Sequence, residues 1–279
     1  MNKVKVIVTG AGGYIGRHVV DTLLERGTEV IAVDVAFKDF LTGAVQIVGD
    51  ILHDESVVKD LPVADACVHL AWQDGFKHNA PSHIGNLNAH LRFLLSLADK
   101  GVKRLAVMGS MHEVGYWEGA IKDDTPCNPL SLYGIAKNAL RQSLLVALKD
   151  KDTKLQWLRG YYIYGDDRAN HSVFTKLLEA AASGKETFPF TSGKNLYDFI
   201  DVKLLADMIA SAVLQDKIVG IINCCTGKPM SLAEAVEGFI KRNNLKIRLD
   251  YGAFPDRPYD SPGVWGDPTK INQILEEEK

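Results

Sequence analysis

The sequence predicts an α/β fold with a doubly wound parallel sheet and a small α/β cap toward the C-terminus. Three observations support this prediction. β-branched strands alternate with amphipathic helices through the first hundred residues, a glycine-rich turn follows the first strand, and the chain after residue 165 has fewer aliphatic strands. We therefore expect a Rossmann-type domain over residues 1–165, with 196–225 returning to it, and a cap formed mostly by residues 166–279.

Composition excludes several classes of protein. The chain has 32 Lys and Arg against 35 Asp and Glu, so its formal charge of -3 predicts no basic surface for nucleic acid. No apolar run is long enough to cross a bilayer, and the N-terminus enters a strand without a signal-type hydrophobic segment. We therefore expect a cytoplasmic protein with no membrane partner. Four cysteines without zinc-type spacing indicate reduced thiols and no metal site.

The first strand and its turn contain the strongest motif of the chain. Residues 4–8 form a short β-branched run, glycines follow at three-residue spacing, and an amphipathic helix begins directly afterwards. Glycine lets a backbone turn tightly and approach a phosphate, and the N-terminus of a helix attracts an anion. This pattern predicts a dinucleotide site whose contacts are Gly10, Gly13, Tyr14, Ile15 and Gly16.

The second strand, residues 29–33, ends in Asp34, about 20 residues beyond the turn. A carboxylate at this place accepts hydrogen bonds from the adenosine ribose and repels a 2′-phosphate. The sequence therefore favours NAD as the cofactor, although Lys38 nearby keeps NADP possible.

The next two strands end in residues that should face the same crevice. Residues 44–48 lead into Gly49-Asp50-Ile51, and residues 66–70 lead into Ala71-Trp72. Ligands of doubly wound sheets bind at the carboxyl ends of the strands. The expected adenine and ribose contacts are Asp50, Ile51, Leu70, Ala71 and Trp72.

Reacting groups are expected after the fifth strand, residues 104–108, and on the helix that opens near Ser131. Tyr133 and Lys137 are four residues apart, so they share one face of that helix. A nearby ammonium stabilises a phenolate and lowers the pKa of the phenol, which would let Tyr133 exchange a proton during hydride transfer.

These motifs together resemble the extended short-chain dehydrogenase/reductase family, in its nucleotide-sugar epimerase, dehydratase and reductase branch. The family's TGxxGxxG turn matches Thr9 to Gly16, its YxxxK matches Tyr133 to Lys137, and similar segments occur at residues 101–104, 158–165 and 197–202. The resemblance implies NAD-dependent chemistry on a nucleotide-sugar substrate, with Tyr133 and Lys137 both catalytic and in contact with the cofactor. It also implies a homodimer built by the helices at 86–100 and 131–149. Further contacts that it implies are Asn86 and Tyr161 for the cofactor and Arg257 for the substrate diphosphate.

The departures from the family motifs bear on the substrate. Met111 replaces the serine or threonine that binds the reacting hydroxyl in many relatives, and methionine cannot donate that hydrogen bond. We therefore assign Ser110, one residue earlier, as the third catalytic group, with His112 as the competing donor. Tyr162 and Tyr197 stand where relatives have an asparagine and an arginine that contact the diphosphate.

The pair His112-Glu113 stands where dehydratases carry Asp-Glu, and a histidine could serve there as a general acid near neutral pH. The expected substrate contacts are Met111, His112, Glu113, Asn170 and Arg257.

The expected activity is reduction of a 4-keto-6-deoxy nucleotide sugar for cell-surface polysaccharide synthesis. A nucleotide-sugar C4 epimerase or 4,6-dehydratase remains an alternative. The two lost diphosphate contacts also allow a reductase of a hydrophobic ketone, and Met111 allows a non-catalytic NAD-sensing protein. The intact Tyr133 and Lys137 argue against the sensor.

Overall fold

A computed structural model describes residues 3–38, 41–165, 172–256 and 260–278. The strands are β1 (Lys5–Thr9), β2 (Glu29–Asp34), β3 (Val45–Val48), β4 (Ala66–His69), β5 (Arg104–Ser110), β6 (Gly119–Ile121), β7 (Lys154–Gly160), β8 (Tyr162–Tyr164), β9 (Thr187–Pro189), β10 (Leu196–Tyr197), β11 (Phe199–Asp201), β12 (Gly220–Cys224), β13 (Met230–Ser231), β14 (Arg248–Asp250) and β15 (Gly263–Gly266). The helices are α1 (Tyr14–Glu25), α2 (Ser56–Asp60), α3 (Ser82–Gly85), α4 (Leu87–Asp99), α5 (Leu132–Ala147), α6 (Val173–Ala182), α7 (Val202–Leu214), α8 (Leu232–Arg242) and α9 (Thr269–Glu277), with a 3₁₀ turn at Met111–Glu113.

Seven of the described strands form one parallel sheet in the order β12-β7-β5-β4-β1-β2-β3. From β1 the chain proceeds through β2 and β3 in one direction, whereas β4, β5 and β7 extend the sheet in the other. The strand order therefore reverses between β1 and β4, and a ligand of this fold binds in the crevice at such a reversal. The predicted doubly wound sheet is confirmed.

Alternating side chains of the central strand cover the two faces of this sheet. Val6 and Val8 pack against α1 and α7 on one face, while Ile7 packs on the other face among side chains of α4 and α5. All three side chains are fully buried. Because successive residues of a strand point to opposite faces, a continuous apolar strand such as β1 requires helices on both sides.

A smaller body of short strands and two helices forms the cap. Its main sheet has the order β13-β10-β15-β6, and the pairs β8·β11 and β9·β14 lie beside it. A third apolar cluster fills its interior, with α6 and α8 contributing Phe174, Leu177, Val236 and Phe239.

Three details of the predicted domain boundaries were wrong. β10 and β11 pair within the smaller sheets, so the return of residues 196–225 to the main sheet begins only with α7 and is completed by β12. The early strand β6 belongs to the cap sheet. The last helix, α9, buries Ile271 and Ile274 in the core of the main sheet rather than in the cap.

Two predicted elements have different ends in the structure. The helix expected over 82–100 is divided into α3 and α4 at Gly85 and Asn86, two residues with low helix propensity. β5 extends to Ser110, two residues further than expected, because its pairing with β7 continues to Gly160. Ser110 is thereby fixed in a strand rather than in a loop.

None of the helices in the described ranges is long and apolar enough to cross a membrane. All four cysteines are free thiols, and only Cys127 among them is partly exposed.

Candidate active site

The glycine turn lies at the reversal point, directly against the end of β4. Gly10 has φ +67°, and a Cβ at this residue would come within 2.6 Å of the backbone nitrogen of Ala71. A Cβ on Gly16 would come within 2.0 Å of the carbonyl oxygen of Gly10, so α1 packs on the turn only because residue 16 is glycine. No side chain caps the N-terminus of α1, and its first turn has no acidic residue. The backbone N–H of Gly13 donates to the Gly10 carbonyl (3.1 Å), so the first turn of α1, which begins with Tyr14 and Ile15, is the part that directs N–H groups toward an anion.

Asp34 occupies the place expected for a ribose contact. Its carboxylate accepts hydrogen bonds from the backbone N–H of Gly12 (2.9 Å) and of Val35 (2.7 Å). The backbone N–H of Gly49 donates to the Asp34 carbonyl (2.9 Å), which brings the segment with Asp50 and Ile51 to the same edge. The Asp50 carboxylate accepts from the backbone N–H groups of the following turn, whereas Ile51 is buried.

Trp72 is packed against Lys137, a contact that sequence reasoning did not foresee. The Lys137 ammonium lies 3.6 Å from the centroid of the indole and donates to the carbonyl of Met108 (2.7 Å). The indole is held by two histidines, since its Nε1–H donates to Nδ1 of His83 (3.1 Å) and its face stacks on His90 at 4.4 Å. Leu70 and Ala71 lie between the end of β4 and Trp72.

Tyr133 lies beside Ser110, as the catalytic assignment requires. The Ser110 hydroxyl lies close enough to the phenol to lower its pKa, against the larger effect of burial. The backbone N–H of Tyr133 donates to the carbonyl of His78 (2.9 Å), and the His78 ring stacks on the phenol ring at 5.4 Å. Ser131 caps the N-terminus of α5 by accepting from the backbone N–H of Gly134, which fixes the start of the helix bearing Tyr133.

The expectation that Lys137 lowers the pKa of Tyr133 was wrong for the protein without cofactor. Burial raises the pKa of Tyr133 to about 12, partly opposed by the bond from Ser110. Burial also lowers the pKa of Lys137 to about 7, partly opposed by the charge of Glu113. At neutral pH the phenol is therefore protonated and suited to donate a proton.

Glu113 does not face the substrate, so its assignment as a substrate contact was wrong. Its side chain has no exposed surface. Its oxygens accept from Trp157 Nε1 (2.9 Å to each oxygen) and from the backbone N–H of Ser110 (2.5 Å). The guanidinium of Arg159 lies 3.7 Å away on the same inner side.

His112 is not a general acid near neutral pH, which corrects the second half of the His112-Glu113 hypothesis. Burial, together with the neighbouring His78 ring at 4.4 Å, lowers the pKa of His112 to about 4. The imidazole is therefore neutral at pH 7 and can bind a hydroxyl without carrying charge. Met111 is also buried, and it packs in the apolar cluster of the cap.

The remaining predicted residues have different positions. The Tyr161 hydroxyl donates to Asn223 Oδ1 (3.1 Å) in the interior, so its side chain does not face a cofactor and that part of the assignment was wrong. The Asn86 side chain donates to Gln73 Oε1 (2.9 Å). Asn170 and Arg257 lie outside the described residues.

Tyr162 and Tyr197, which the family resemblance places at two expected diphosphate contacts, contact each other. Their ring centroids are 4.2 Å apart, with an angle of 34° between the ring planes. The two tyrosines therefore form one packed pair on the β8 and β10 side of the cap.

Sequence reasoning missed the histidines around the site. Nδ1 of His69 lies 2.9 Å from Thr9 Oγ1, and its Nε2 lies 3.0 Å from Nδ1 of His90. Burial keeps both imidazoles neutral by holding their pKa values below the usual range. The position of His69 at the end of β4 was the available signal. Over the described part of the chain no His, Cys, Asp or Glu cluster has the arrangement of a metal site.

Known proteins that are similar to this chain include nucleotide-sugar dehydrogenases and epimerases. The family model described as the NAD dependent epimerase/dehydratase family matches residues 6–225. The dTDP-6-deoxy-L-talose 4-dehydrogenase (NAD(+)) of Aggregatibacter actinomycetemcomitans is 49% identical over 94% of this chain and 98% of its own length. UDP-arabinose 4-epimerase 1 of Arabidopsis thaliana is 28% identical over 97% of this chain and 74% of its own length.

Solved structures show the same fold. MoeE5 in complex with UDP-glucuronic acid and NAD superimposes with a TM-score of 0.83 and 26% identity, covering 98% of this chain and 92% of that chain. The UDP-N-acetylglucosamine 4-epimerase from Methanobrevibacter ruminantium M1 has a TM-score of 0.85 at 22% identity, covering 98% of this chain and 92% of that one.

Proposed function

Because the chain belongs to the NAD-dependent epimerase/dehydratase family, we propose that it is an NAD-dependent oxidoreductase of a 6-deoxy nucleotide-diphosphate sugar. The reaction interconverts the hydroxyl and the ketone at C4 of the sugar. The 49% identical relative is named a 4-dehydrogenase, and a 4-dehydrogenation run backwards is the reduction of a 4-keto sugar. This matches the activity expected from the sequence.

The residues at the reversal point fit NAD. Gly10 and Gly16 allow the turn to pack tightly against β4 and α1, since a Cβ at either residue would collide with backbone, and the uncapped α1 offers N–H donors for a diphosphate. Asp34 would accept the adenosine ribose hydroxyls and disfavour NADP through charge repulsion. When bound, the cofactor accepts or donates the hydride; the protein supplies the proton chemistry and the positioning.

The observation that supports catalysis most strongly is the contact of Tyr133 with Ser110, next to Lys137. In the reductive direction Tyr133 donates its phenol proton to the oxygen that becomes the C4 hydroxyl. Ser110 donates a hydrogen bond to the same oxygen and stabilises its developing charge. The Lys137 ammonium stabilises the phenolate that remains, which is why it must be charged when the proton leaves.

The neighbouring residues weigh against the other activities. A 4,6-dehydratase needs a carboxylate at the sugar, whereas Glu113 is buried and bonded to Trp157 and Ser110. A cofactor sensor has no need of the tyrosine and lysine. A C4 epimerase uses the same tyrosine and lysine and stays the second candidate, supported by the epimerase relatives. The net production of NADH separates it from a dehydrogenase.

The subunit arrangement and location are part of the same proposal. Large apolar side chains are exposed on and just before α5, at Leu130, Ile135, Leu145 and Val146. An apolar strip of this kind suits a homodimer interface formed with α4. The expected species is a cytoplasmic homodimer, which light scattering after size-exclusion chromatography tests for its mass.

The experiment incubates the protein with dTDP-6-deoxy-L-talose and NAD+ and measures the NADH formed and the sugar product. The proposal expects stoichiometric NADH and loss of the C4 hydroxyl, and both should disappear in Tyr133→Phe. Conversion to the C4 epimer without net NADH would instead identify an epimerase. No conversion of this sugar or of other 6-deoxy nucleotide sugars would refute the assignment.

A further inference from the structure

Glu113 is a buried carboxylate whose bonds lead to the reacting residues rather than to the substrate. Its Oε1 accepts from the backbone N–H of Ser110, the residue that contacts Tyr133. In return, the hydroxyl of Ser110 accepts from the backbone N–H of His112 at 3.3 Å. These reciprocal bonds close the turn between residues 110 and 113 and fix the direction of the Ser110 side chain.

The end of β5 lies between Glu113 and Lys137. The Lys137 ammonium donates to the carbonyl of Met108, and Glu113 accepts from the N–H of Ser110, two residues further on. Gly109 separates these two contacts. A Cβ at Gly109 would lie 2.6 Å from Glu113 Oε1 and 2.2 Å from Trp157 Nε1, so the carboxylate packs where a side chain would otherwise be.

Two guanidinium groups lie close to the Oε2 atom of the Glu113 carboxylate. The guanidinium of Arg159 is fully buried and lies 3.7 Å from Glu113 Oε2, and Arg141 Nε lies 3.8 Å from it. The Nε atoms of both arginines are buried without a hydrogen-bond partner among the described residues. Glu113 is therefore the counter-ion of two guanidinium groups.

We propose that Glu113 is a positioning residue for proton transfer: it holds the end of β5 so that Ser110 lies beside Tyr133, and it places a negative charge behind the strand end that binds Lys137. The proposal rests on the proposed function, because it concerns the proton that Tyr133 gives to the sugar. It differs from the use of a glutamate as a direct acid or base, since this carboxylate does not reach the substrate.

The charge of Glu113 shifts the pKa values of Tyr133 and Lys137 in the same direction, upward. Glu113 raises the pKa of Lys137 against the effect of burial, and it adds to the effect of burial on the pKa of Tyr133. The other titratable groups that face Lys137 are His69 and His90, both neutral. The groups that face Glu113 on its far side are Arg141, Arg159 and the phenol of Tyr161. Removing the carboxylate charge should therefore release the protons of Tyr133 and Lys137 at lower pH.

The first test is the pH dependence of 4-keto sugar reduction in Glu113→Gln. In wild type the rate should fall at high pH as the proton donor is lost, and this fall is the basic limb of the pH–rate profile. In the variant this basic limb should move to lower pH by roughly one unit, the scale of one buried charge. Trp157→Phe is the matched control, because it removes a donor to Glu113 but keeps the charge. It should lower thermal stability and leave the limb unmoved.

Glu113→Asp tests the positioning half separately. The shorter carboxylate keeps the charge but withdraws from the N–H of Ser110, so the plateau rate should fall roughly ten- to a hundredfold with the limb unmoved. This variant remains decisive even if Glu113→Gln does not fold. A wild-type plateau in Glu113→Asp would overturn the positioning role. An unmoved limb in Glu113→Gln, or an equal shift in Trp157→Phe, would overturn the electrostatic role.

A measurement without turnover separates failure of this proposal from failure of the proposed function. The pH titration of the Lys137 amine can be followed by NMR in protein labelled with ¹³C-lysine. The Lys137 signal is assigned by its loss in Lys137→Gln, and the midpoint of its titration is measured. It should be lower in Glu113→Gln than in wild type whether or not the sugar is a substrate. Equal midpoints would refute the charge effect, whereas an inactive wild type with shifted midpoints would refute only the assigned reaction.

Discussion

Ser110→Ala and Met111→Ala should affect different properties of the protein. The Ser110 hydroxyl lies beside the phenol of Tyr133, so its removal should take away a donor at the developing C4 oxyanion. Loss of one such donor costs about 2.7–4 kcal/mol of transition-state stabilisation, or roughly 10²- to 10³-fold in kcat. Met111 is 7% exposed and packs in the cap core. Its truncation should cost about 2–5 kcal/mol of unfolding free energy with kcat nearly kept.

The assay measures kcat for 4-keto sugar reduction and urea unfolding on both variants, with His112→Ala as a third arm. Ser110→Ala should lose rate, with a loss of unfolding free energy limited to about 0.5–2 kcal/mol from its cap on the 110–113 turn. Met111→Ala should lose stability with little loss of rate, and His112→Ala should keep most of its rate because the neutral imidazole is not the proton donor. A near wild-type rate in Ser110→Ala together with a large loss in His112→Ala would refute the reasoning. The donor would then be His112, and the turn would act as it does in the dehydratases.

Three further outcomes are expected. Tyr133→Phe should bind NAD with nearly unchanged affinity by calorimetry but lose roughly 10²-fold or more in rate; full activity would make Tyr133 structural. Competing-cofactor kinetics should favour NADH over NADPH, and Asp34→Ala should reduce that preference; a wild-type preference for NADPH would contradict the role of Asp34. Trp72→Leu removes a cation–π contact of about 2 kcal/mol, so the pKa of Lys137 should fall by up to about 1.5 units. The basic limb of the reduction rate should then move to lower pH, whereas it should stay in place in the control Trp117→Leu, because Trp117 packs against the apolar cluster of the cap.

The order of strands and helices could be predicted because it depends on periodicity along the chain. The apolar run of β1, the glycine spacing and the Tyr133 to Lys137 interval each determine a local structure, and the parallel sheet follows from their alternation. The position of Asp34 at the end of β2 beside the glycine turn could be predicted for the same reason, whereas its contact with the ribose stays a prediction.

The interior of the site could not be predicted in this way. Glu113 follows a polar strand end, and the spacing of residues does not reveal that Trp157 and Arg159 on β7 lie behind it. The pKa of His112 depends on burial and on His78, which belongs to a distant loop. Likewise the protonation of Tyr133 depends on desolvation, which only the packed structure determines.

The central claim, direct hydride exchange at C4 of a nucleotide sugar, is tested most directly by isotope transfer. NADH deuterated at the transferring position is incubated with the enzyme and the dTDP-linked 4-keto-6-deoxy sugar, and the product is analysed by NMR. The account predicts one deuterium at C4, a newly formed C4 hydroxyl and equimolar NAD+. Unconsumed NADH, or deuterium found at C6 instead of C4, would contradict it.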